Sequence, residues 1–349
     1  MGVVRPLLSR GLMLLGVLVV VQALVVVSLG ATGYSDRMLE AVISEQLRAI
    51  RPALAETIRD PDQLEATLIA QSEELRKAYG LDRPWYARMP SMVKRVFTLD
   101  LGEAHTLRSF TGSNRVADIV LERIPNTVLL LTTSLLITAG IGIAVGVRLA
   151  SRVGSLEDRV ISYFGAISYA LPAWWIGILL ILLFAFHFPI LPSGGMYSSP
   201  PPDGGIARFL DLLKHAALPI ITLVLVSVGP YIYVVRTMTL NVAQGDHVKV
   251  ARAKGIPERI VRRRHILRVA AAPIVTGLIL GLAGSLGGSI LVETVFNWQG
   301  MGRLYYEAIS GTPDEMVIVA LTFVFTLLYV GARMILEILY VTLDPRVRY

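Results

Sequence analysis

The sequence predicts an all-α integral membrane protein with six transmembrane helices and with both termini in the cytoplasm. Its composition is the first observation: 54% of the 349 residues are apolar, 17% are charged and the mean hydropathy is +0.61, whereas a soluble domain has about 25% charged residues. The second is that several apolar runs reach the roughly 20 residues that cross a bilayer core as a helix. The third is that Lys and Arg concentrate on one side of these runs, as in the cytoplasmic loops of membrane proteins.

The first predicted span is Gly11–Gly30, in which Gln22 and Ser28 are the polar side chains. Its apolar run is longer than the h-region of a signal peptide, which has about 7–15 residues. We therefore interpret residues 1–30 as a cytoplasmic N-terminus and a retained first helix, with a cleaved signal peptide as the alternative.

Residues 31–114 carry dense charges of both signs, and we predict that they form a helical insert on the extracytoplasmic side. Asp60 and Pro61 are typical of a helix N-terminus and Gly80 of a helix end, so a helix is predicted between them.

Residues 115–349 form the predicted five-helix core. Its loops at 189–215 and 294–315 hold three Lys or Arg residues, whereas the segment 236–268 holds nine. The positive-inside rule therefore places segment 236–268 and both termini in the cytoplasm. The predicted spans of the core are Pro125–Leu149, Val160–Phe186, Ala216–Val235, Val269–Val292 and Met316–Val341.

Several kinds of chemistry are excluded by the residues themselves. Cysteine is absent, the histidines do not stand at metal-ligand spacing, and there is neither an H-E-x-x-H motif nor a nucleophile elbow. Without a Gly-Lys dipeptide the chain has no phosphate-binding loop of the G-x-x-x-x-G-K-[ST] kind. We expect no catalytic site, no metal and no cofactor. The net charge of +7 reflects cytoplasmic loops rather than binding of nucleic acid.

The segment Gly245–Arg268 carries eight Lys or Arg residues against two acids. Its pattern predicts a short helix from Asp246 to Lys254, a left-handed turn at Gly255 and a second helix that begins at Pro257. A topology anchor or a contact with lipid headgroups needs the charge but not this helix-turn-helix pattern. We interpret the segment, called the basic hairpin below, as a docking element for a cytosolic partner. Contact with membrane lipid is the alternative.

Four stretches in this order carry a resemblance to a known family. "ARAKG", with Asp246 five residues before it and "RHILR" nine residues after it, resembles the cytoplasmic loop of ABC-transporter permeases. The closest likeness is to the first permease subunit of dipeptide and oligopeptide importers. "LDLGEAHTLRSFTGSNRVADIVLERIPNTVLL", "ETVFNWQGMGRLYYEAI" and "DPRVRY" resemble the entry to that family's second span, its loop after the fifth span and its C-terminus. Lys249 stands where the general loop motif has Glu, and the insert is longer than the family suggests.

The resemblance implies a permease of the type I ABC importer kind, in which this chain forms half of a pathway for peptides. Oligosaccharides and nickel are the alternative cargoes. The implied partners are a second homologous permease subunit, two cytosolic ATP-binding subunits and an extracytoplasmic substrate-binding protein. The insert either helps to seat this binding protein or caps the permease rim. The hairpin residues expected to contact the ATPase are Asp246, Ala251, Arg252, Ala253, Lys254, Gly255, Arg264 and His265.

Other residues are candidates either for the pathway or for helix packing. Gly277, Gly281, Gly284 and Gly288 share one face of the fifth span, and small residues allow close helix packing in membranes. Pro172 and Trp174 lie within the third span, where they either kink and pack the helix or contact cargo. Glu293 either meets a charged amine of the cargo or ends the fifth span in contact with water.

Two rival functions remain open at this point. A membrane receptor or scaffold could use the basic hairpin for lipids or for a signalling partner, and co-purification of ATPases distinguishes it from a permease. A secondary transporter is disfavoured, because no pair of acids lies mid-membrane to carry protons.

Overall fold

The computed structural model describes residues 4–285, 290–310 and 313–343. Within these ranges the chain forms helices and loops, and its β-structure is limited to one isolated antiparallel bridge between Glu103 and Arg115. The all-α prediction is therefore confirmed for the described part of the chain.

The helices are numbered in chain order. The first group is α1 Val4–Ala31, α2 Tyr34–Thr57, α3 Pro61–Ala78, α4 Trp85–Phe97, α5 Val116–Ala150, α6 Leu156–Ala170 and α7 Ala173–Ile181, which continues as a π-helix over Leu182–His187. The second group is α8 Gly205–Ala243, α9 Asp246–Ala253, α10 Glu258–Ile260, which continues as a π-helix over Val261–Leu267, α11 Arg268–Ser285, α12 Ile290–Val295, α13 Met301–Ile309 and α14 Glu315–Leu343.

Helices long and apolar enough to span a membrane lie at most of the predicted positions. Four stretches are long and apolar enough to cross a bilayer by themselves, and these are Leu8–Ala31, Val116–Ala150, Gly205–Ala243 and Glu315–Ile338. If α6 and α7 together form one span, they add a fifth. The two helices meet at a bend of 98°. The predicted fifth span runs through residues 286–289, which lie outside the described residues.

The third span is not the continuous helix that the sequence predicts. α6 ends at Ala170, Leu171 has an extended backbone with ψ 128°, and Pro172 precedes α7 as its N-cap. Proline lacks the N–H that an internal helical position needs and disfavours helical geometry in the residue before it. Pro172 therefore breaks the span rather than kinking it.

Helix ends differ from the prediction elsewhere as well. α5 begins at Val116 and carries Pro125 inside it, while α8 extends past both ends of the predicted fourth span. In the insert, the helix predicted after Asp60 is confirmed as α3, and the Asp60 carboxylate accepts a hydrogen bond from the Asp62 N–H at 3.1 Å. The flanking helices α2 and α4 were not predicted.

The chain divides into two compact units, which are described separately. The first contains residues 1–8, 124–303 and 331–349, and the second contains residues 9–123 and 304–330. The predicted division into 1–30, 31–114 and 115–349 follows membrane topology and stays a prediction.

In the first unit, glycines bring α8 close to its neighbours. A Cβ on Gly165 of α6 would lie 3.1 Å from the carbonyl oxygen of Gly229 in α8, so the two backbones touch. A Cβ on Gly146 of α5 would lie 2.9 Å from the carbonyl oxygen of Ile232. Small residues therefore let α5 and α6 pack closely against α8.

In the second unit, the core joins α1 to α14. Leu18, Val26, Val319 and Phe323 form a buried cluster, and Val93 and Leu101 of the insert pack against it. The first span and part of the insert thus fold with the first half of the last span.

Candidate functional site

The basic hairpin has the helix-turn-helix form that the sequence predicts. α9 begins at Asp246 directly after the end of α8, and Lys254 is its C-cap. Gly255 has φ +73°, which is a left-handed conformation that favours glycine. Pro257 is the N-cap of α10 rather than its first residue. The turn therefore reverses the chain where the sequence places it.

A small apolar core holds the hairpin together. Val248, Ala251, Val261 and Ile266 are at most 5% exposed and pack against one another. The prediction that Ala251 lies on the contact surface is wrong for this conformation, because the residue is 3% exposed. Ala251 follows Val248 by one turn, so both share the inner face of α9. Its small side chain lets α9 lie close to the π-helical segment.

One ion pair joins the two arms of the hairpin near the turn, and another lies within α9. Arg252 donates two hydrogen bonds to the Glu258 carboxylate, from Nε at 3.1 Å and from Nη2 at 2.8 Å. Lys249 pairs with Asp246 at 2.9 Å. The predicted contact residues Asp246 and Arg252 therefore have partners within the chain, although both remain exposed. A bidentate pair of this kind fixes the relative orientation of α9 and α10.

The remaining contact candidates lie mostly on the surface. Ala253, Lys254, Gly255 and Arg264 are exposed, while His265 is half-buried and its carbonyl oxygen lies 3.1 Å from Nε2 of His247. The exposed residues Ala253, Lys254 and Gly255 at the turn are called the hairpin tip below, and their contact with a partner stays a prediction.

Glu258 gives the hairpin a defined pH dependence. Its hydrogen bonds from Arg252 hold the pKa of the Glu258 carboxyl below its ordinary value, and the same contact raises the pKa of Arg252. Because the folded-state pKa is depressed, the contribution to stability is present above the unfolded-state value and is lost as pH falls through the folded-state value. We expect Arg252→Gln to raise the pKa of Glu258, measured by NMR titration of the labelled carboxyl in the full chain. Lys249→Gln is the control, and an equal rise there would contradict this assignment.

The hairpin is firmly seated on the helices that lead into it and out of it. Val235 of α8 packs with Ala270 and Ile274 of α11, and all three are buried. In the part of α8 that precedes the hairpin, Arg236 donates to the Asp158 carboxylate from Nε at 2.5 Å and from Nη2 at 2.7 Å. This pair links α8 to α6, and its side chains are 18% and 6% exposed.

Sequence analysis missed the pair of Asp158 and Arg236. A local signal was present, because Ser155 and Asp158 have the S-x-x-[DE] spacing of a helix start before an apolar run. In the structure Ser155 accepts a hydrogen bond from the Asp158 N–H at 3.2 Å, and the Asp158 carboxylate accepts from the Gly154 N–H at 2.9 Å. The partner Arg236 is 78 residues away along the chain, so no local pattern could identify it.

Glu293 lies at the centre of a second polar site. Its side chain is fully buried, so the alternative of a helix end solvated by water is wrong. Oε1 accepts from the Thr127 hydroxyl at 3.1 Å, and Oε2 accepts from the Arg303 N–H at 3.1 Å. Thr127 in turn accepts from the Met301 N–H at 2.7 Å. Glu293 therefore ties the loop at 296–300 and the start of α13 to α5, and contact with cargo stays a prediction.

Bulky aromatic side chains complete the anchoring of this loop. Trp298 is fully buried and donates from its indole N–H to the Asn126 carbonyl at 3.0 Å. The Asn126 amide returns a hydrogen bond to the Gln299 carbonyl at 2.6 Å. Phe296 is 1% exposed and packs with Leu218 and Val292. The stretch that resembles the family's loop after the fifth span is thus closed onto α5 and α8.

The other pathway candidates are placed only in part. A Cβ on Gly277 would have no neighbour within 4 Å among the described atoms, and one on Gly281 would lie 3.9 Å from Leu135. The side-chain surroundings of Gly284 are not described, and Gly288 lies outside the described residues. Trp174 is 38% exposed. A pathway role for these residues stays a prediction.

Comparison with known proteins places the chain among transport components. Residues 137–349 match the family described as binding-protein-dependent transport system inner membrane component. The oligopeptide transport system permease protein AppB of Bacillus subtilis (strain 168) is 31% identical over 280 residues, which cover 80% of this chain and 86% of that protein. A putative peptide permease protein of Brucella ovis is 34% identical over 281 residues, with 80% and 85% covered. The probable D,D-dipeptide transport system permease protein DdpB of Escherichia coli (strain K12) is 30% identical over 294 residues, with 79% and 84% covered.

Proposed function

Because this chain belongs to the family of binding-protein-dependent transport system inner membrane components, we propose that it is a permease subunit of an ATP-driven peptide importer. The observation that carries the proposal is the likeness to oligopeptide and dipeptide permeases along 79–80% of the chain. The basic hairpin lies inside the matched region, and it has the folded and exposed tip that a docking element needs.

We propose six spans with both termini in the cytoplasm. They are α1, α5, the bent pair α6 and α7, α8, the stretch from α11 to α12, and α14. The distribution of Lys and Arg supports this orientation, because segment 236–268 holds nine of them and the loops proposed to lie outside hold few. In this topology the hairpin faces the cytosol and the insert lies outside.

The proposed assembly pairs this chain with a second, homologous permease subunit. Two cytosolic ATPase subunits supply energy and an extracytoplasmic binding protein supplies cargo, since the chain itself has no Walker-type phosphate loop. The insert either seats the binding protein or caps the permease rim. Deletion of residues 36–80 separates these, because it weakens binding-protein affinity only in the first case.

Coupling follows from how the hairpin is built. Closure of the ATPases on ATP displaces a surface into which the hairpin tip is inserted. The Arg252–Glu258 contact and the apolar core keep α9 and α10 together, so the hairpin moves as one body. α8 enters it and α11 leaves it, and therefore the displacement reaches the spans directly. Rigid-body motion of packed helices is an established way to convert a local change into opening of a pathway.

Reversing the charge at the hairpin tip is expected to uncouple ATP hydrolysis from peptide uptake. Lys254→Glu places a carboxylate at an exposed position, where it opposes the acidic groups that a lysine contact implies. Peptide uptake should fall at least about tenfold while membrane insertion and ATPase activity persist. The measurements are uptake of labelled dipeptide in cells and ATP hydrolysis by the purified complex. Lys214→Glu, an exposed lysine on α8, is the control. Normal uptake by the Lys254 variant would contradict docking at the tip.

Cargo is tested by complementation. A strain that lacks this gene is supplied with labelled tripeptide, maltotriose or nickel in separate assays, and expression of the chain should restore uptake of the peptide. Restoration of nickel or oligosaccharide uptake alone would replace the peptide assignment. Absence of co-purifying ATPase subunits would favour the receptor or scaffold instead.

A further inference from the structure

A polar cavity of about 490 Å³ lies within the unit that contains residues 9–123 and 304–330. It is bordered by the start of α2, the end of α3, one face of α4 and the first residues of α14. Four Lys or Arg side chains line it against two carboxylates, Asp82 and Glu315. The basic side chains are Lys77, Arg83, Arg88 and Arg95. Its lining is therefore complementary to a negatively charged group.

The cavity lies where two membrane spans end. The α1 span ends at Ala31 and the α14 span begins at Glu315. Ser35, just after α1, donates to the Glu315 carboxylate at 2.8 Å and lines the cavity. Hydrocarbon thickness fixes the ends of spans near the lipid headgroups, so the proposed topology puts the cavity at headgroup level.

α4 extends from this level along the spans. Near its start, the ring of Trp85 packs against Gly30 at the end of α1. Near its end, the ring of Phe97 lies 5.9 Å from that of Phe323. Phe323 is eight residues after Glu315 in α14, which is about 12 Å along a helix axis. α4 therefore lies alongside α1 and α14 rather than beyond their ends, and in the proposed topology this places it at the level of the outer part of the bilayer.

The opposite character of two faces of α4 supports this placement. Val93 packs on the buried cluster of α1 and α14. Arg88, Ser91 and Arg95 follow one another at helical spacing and line the cavity together. A guanidinium at this depth needs a polar partner, because charge is costly near hydrocarbon.

Two of these cations have donors to spare. Nη2 of Arg88 pairs with Asp36, but its Nη1 is shielded from solvent and has no hydrogen-bond partner among the described residues. The side chain of Arg88 is 12% exposed. Arg95 forms no ion pair with any carboxylate in the described part of the chain. The Nη1 of Arg88 points to a ligand that accepts hydrogen bonds, and the positive charge of the exposed Arg95 favours an anionic one.

We propose that this cavity binds a phosphate group, supplied by a membrane phospholipid headgroup or by free inorganic phosphate. A phosphate offers several acceptor oxygens to converging donors, and Arg with Lys is the residue set that proteins use for it. The headgroup is the favoured source, since the cavity opens at headgroup depth beside an amphipathic basic helix. Bound there, a lipid ties the insert to the α1–α14 core.

The test uses the full chain, delipidated in detergent. Dihexanoyl phosphatidylglycerol and, separately, inorganic phosphate are titrated while bound ligand is counted by native mass spectrometry. The double variant Lys77→Gln/Arg95→Gln removes two exposed cations from the lining and is expected to weaken lipid binding about thirtyfold. Arg48→Gln/Arg51→Gln removes two exposed cations of α2 that do not line the cavity and should leave binding unchanged.

Each outcome is decisive. Loss of lipid binding in the cavity variant alone supports the phospholipid, and saturable binding of phosphate without lipid supports the free anion. Equal binding by wild type and cavity variant, or equal loss in the α2 variant, overturns the site. If the cavity variant proves unstable, Lys77→Arg/Arg95→Lys keeps both charges and should retain binding. Uptake of peptide is not used as a readout, so failure here leaves the proposed function standing.

Discussion

Replacing Arg236 with methionine is expected to lower the free energy of unfolding by about 3–5 kcal/mol. The guanidinium makes two short hydrogen bonds to Asp158, whose side chain is 6% exposed. Methionine fills a similar volume but leaves this carboxylate buried beside a single backbone donor, the Gly154 N–H. A buried charge that loses its partner retains its full desolvation cost, and this cost dominates the effect.

The measurement is thermal unfolding of the purified full chain in detergent, and it needs a matched control. Arg152→Met removes an ion pair to Glu157 in which the two side chains are 56% and 33% exposed. Exposed pairs contribute about 0–1 kcal/mol, so this variant should unfold near the wild-type temperature. The double variant Asp158→Leu/Arg236→Met should recover much of the loss, because no unpaired charge remains. If Arg236→Met proved as stable as Arg152→Met, the pair of Asp158 and Arg236 would be dispensable for stability.

The same pair bears on transport. It clamps α8 to α6 less than three helical turns before α9 begins. If displacement of the hairpin reaches the spans through α8, a loosened clamp lets α8 move without α6. The double variant is therefore expected to fold but to transport less peptide per ATP hydrolysed. The double variant lacks the clamp but should keep most of its stability, whereas Arg236→Met loses both. Comparing the two variants therefore separates the effect on coupling from the effect on stability.

Much of this fold could be predicted because apolar runs and turn residues act locally. The runs around Gly11–Gly30 and Met316–Val341 are long enough to fix spans by themselves. Gly255 requires a left-handed turn, and Asp60 with Pro61 sets a helix start, so both were found where the sequence put them. These signals depend on neighbouring residues and on nothing distant.

Other features depend on contacts that the sequence does not display. Ala251 was predicted to contact a partner, but in the closed hairpin it packs against Val261 and Ile266. Glu293 was expected either to meet cargo or to contact water, but it is buried and bonded to Thr127, which lies 166 residues away. Pro172 was expected to kink the third span or to contact cargo, whereas the extended backbone at Leu171 separates α6 from α7. Long-range contacts decided the cases of Ala251 and Glu293.

Two helices of the insert, α2 and α4, were also not predicted from the sequence. α2 has apolar residues at helical spacing, and Met38, Leu39, Val42 and Ile43 are buried. That periodicity is a usable signal that we did not draw on among the dense charges. α4 is harder, since Pro90 lies inside it and its polar face is basic. Its position beside α1 and α14 depends on the whole second unit.

Gly300→Ala is expected to destabilise the fold by about 3 kcal/mol. A Cβ at this position would collide with the Glu293 carboxylate and the Thr127 hydroxyl, and would lie 2.8 Å from Cδ of Glu293. Both groups are fully buried and hold each other by hydrogen bonds, so neither can move into open space. Relief of the overlap pulls Glu293 from the Thr127 hydroxyl or from the Arg303 N–H, and a buried donor is then left unsatisfied.

Unfolding of the full chain in detergent again provides the measurement, and Gly205→Ala is the control. A Cβ on Gly205, at the start of α8, would have no neighbour within 4 Å among the described atoms. Alanine there should be neutral or slightly stabilising, since it reduces the freedom of the unfolded chain. The Gly300 variant should also expose the loop at 296–300 to protease, because Trp298 and Phe296 lose the closed position that Glu293 maintains. Wild-type stability in that variant would mean that the carboxylate can move freely, and that Glu293 does not hold this loop onto α5.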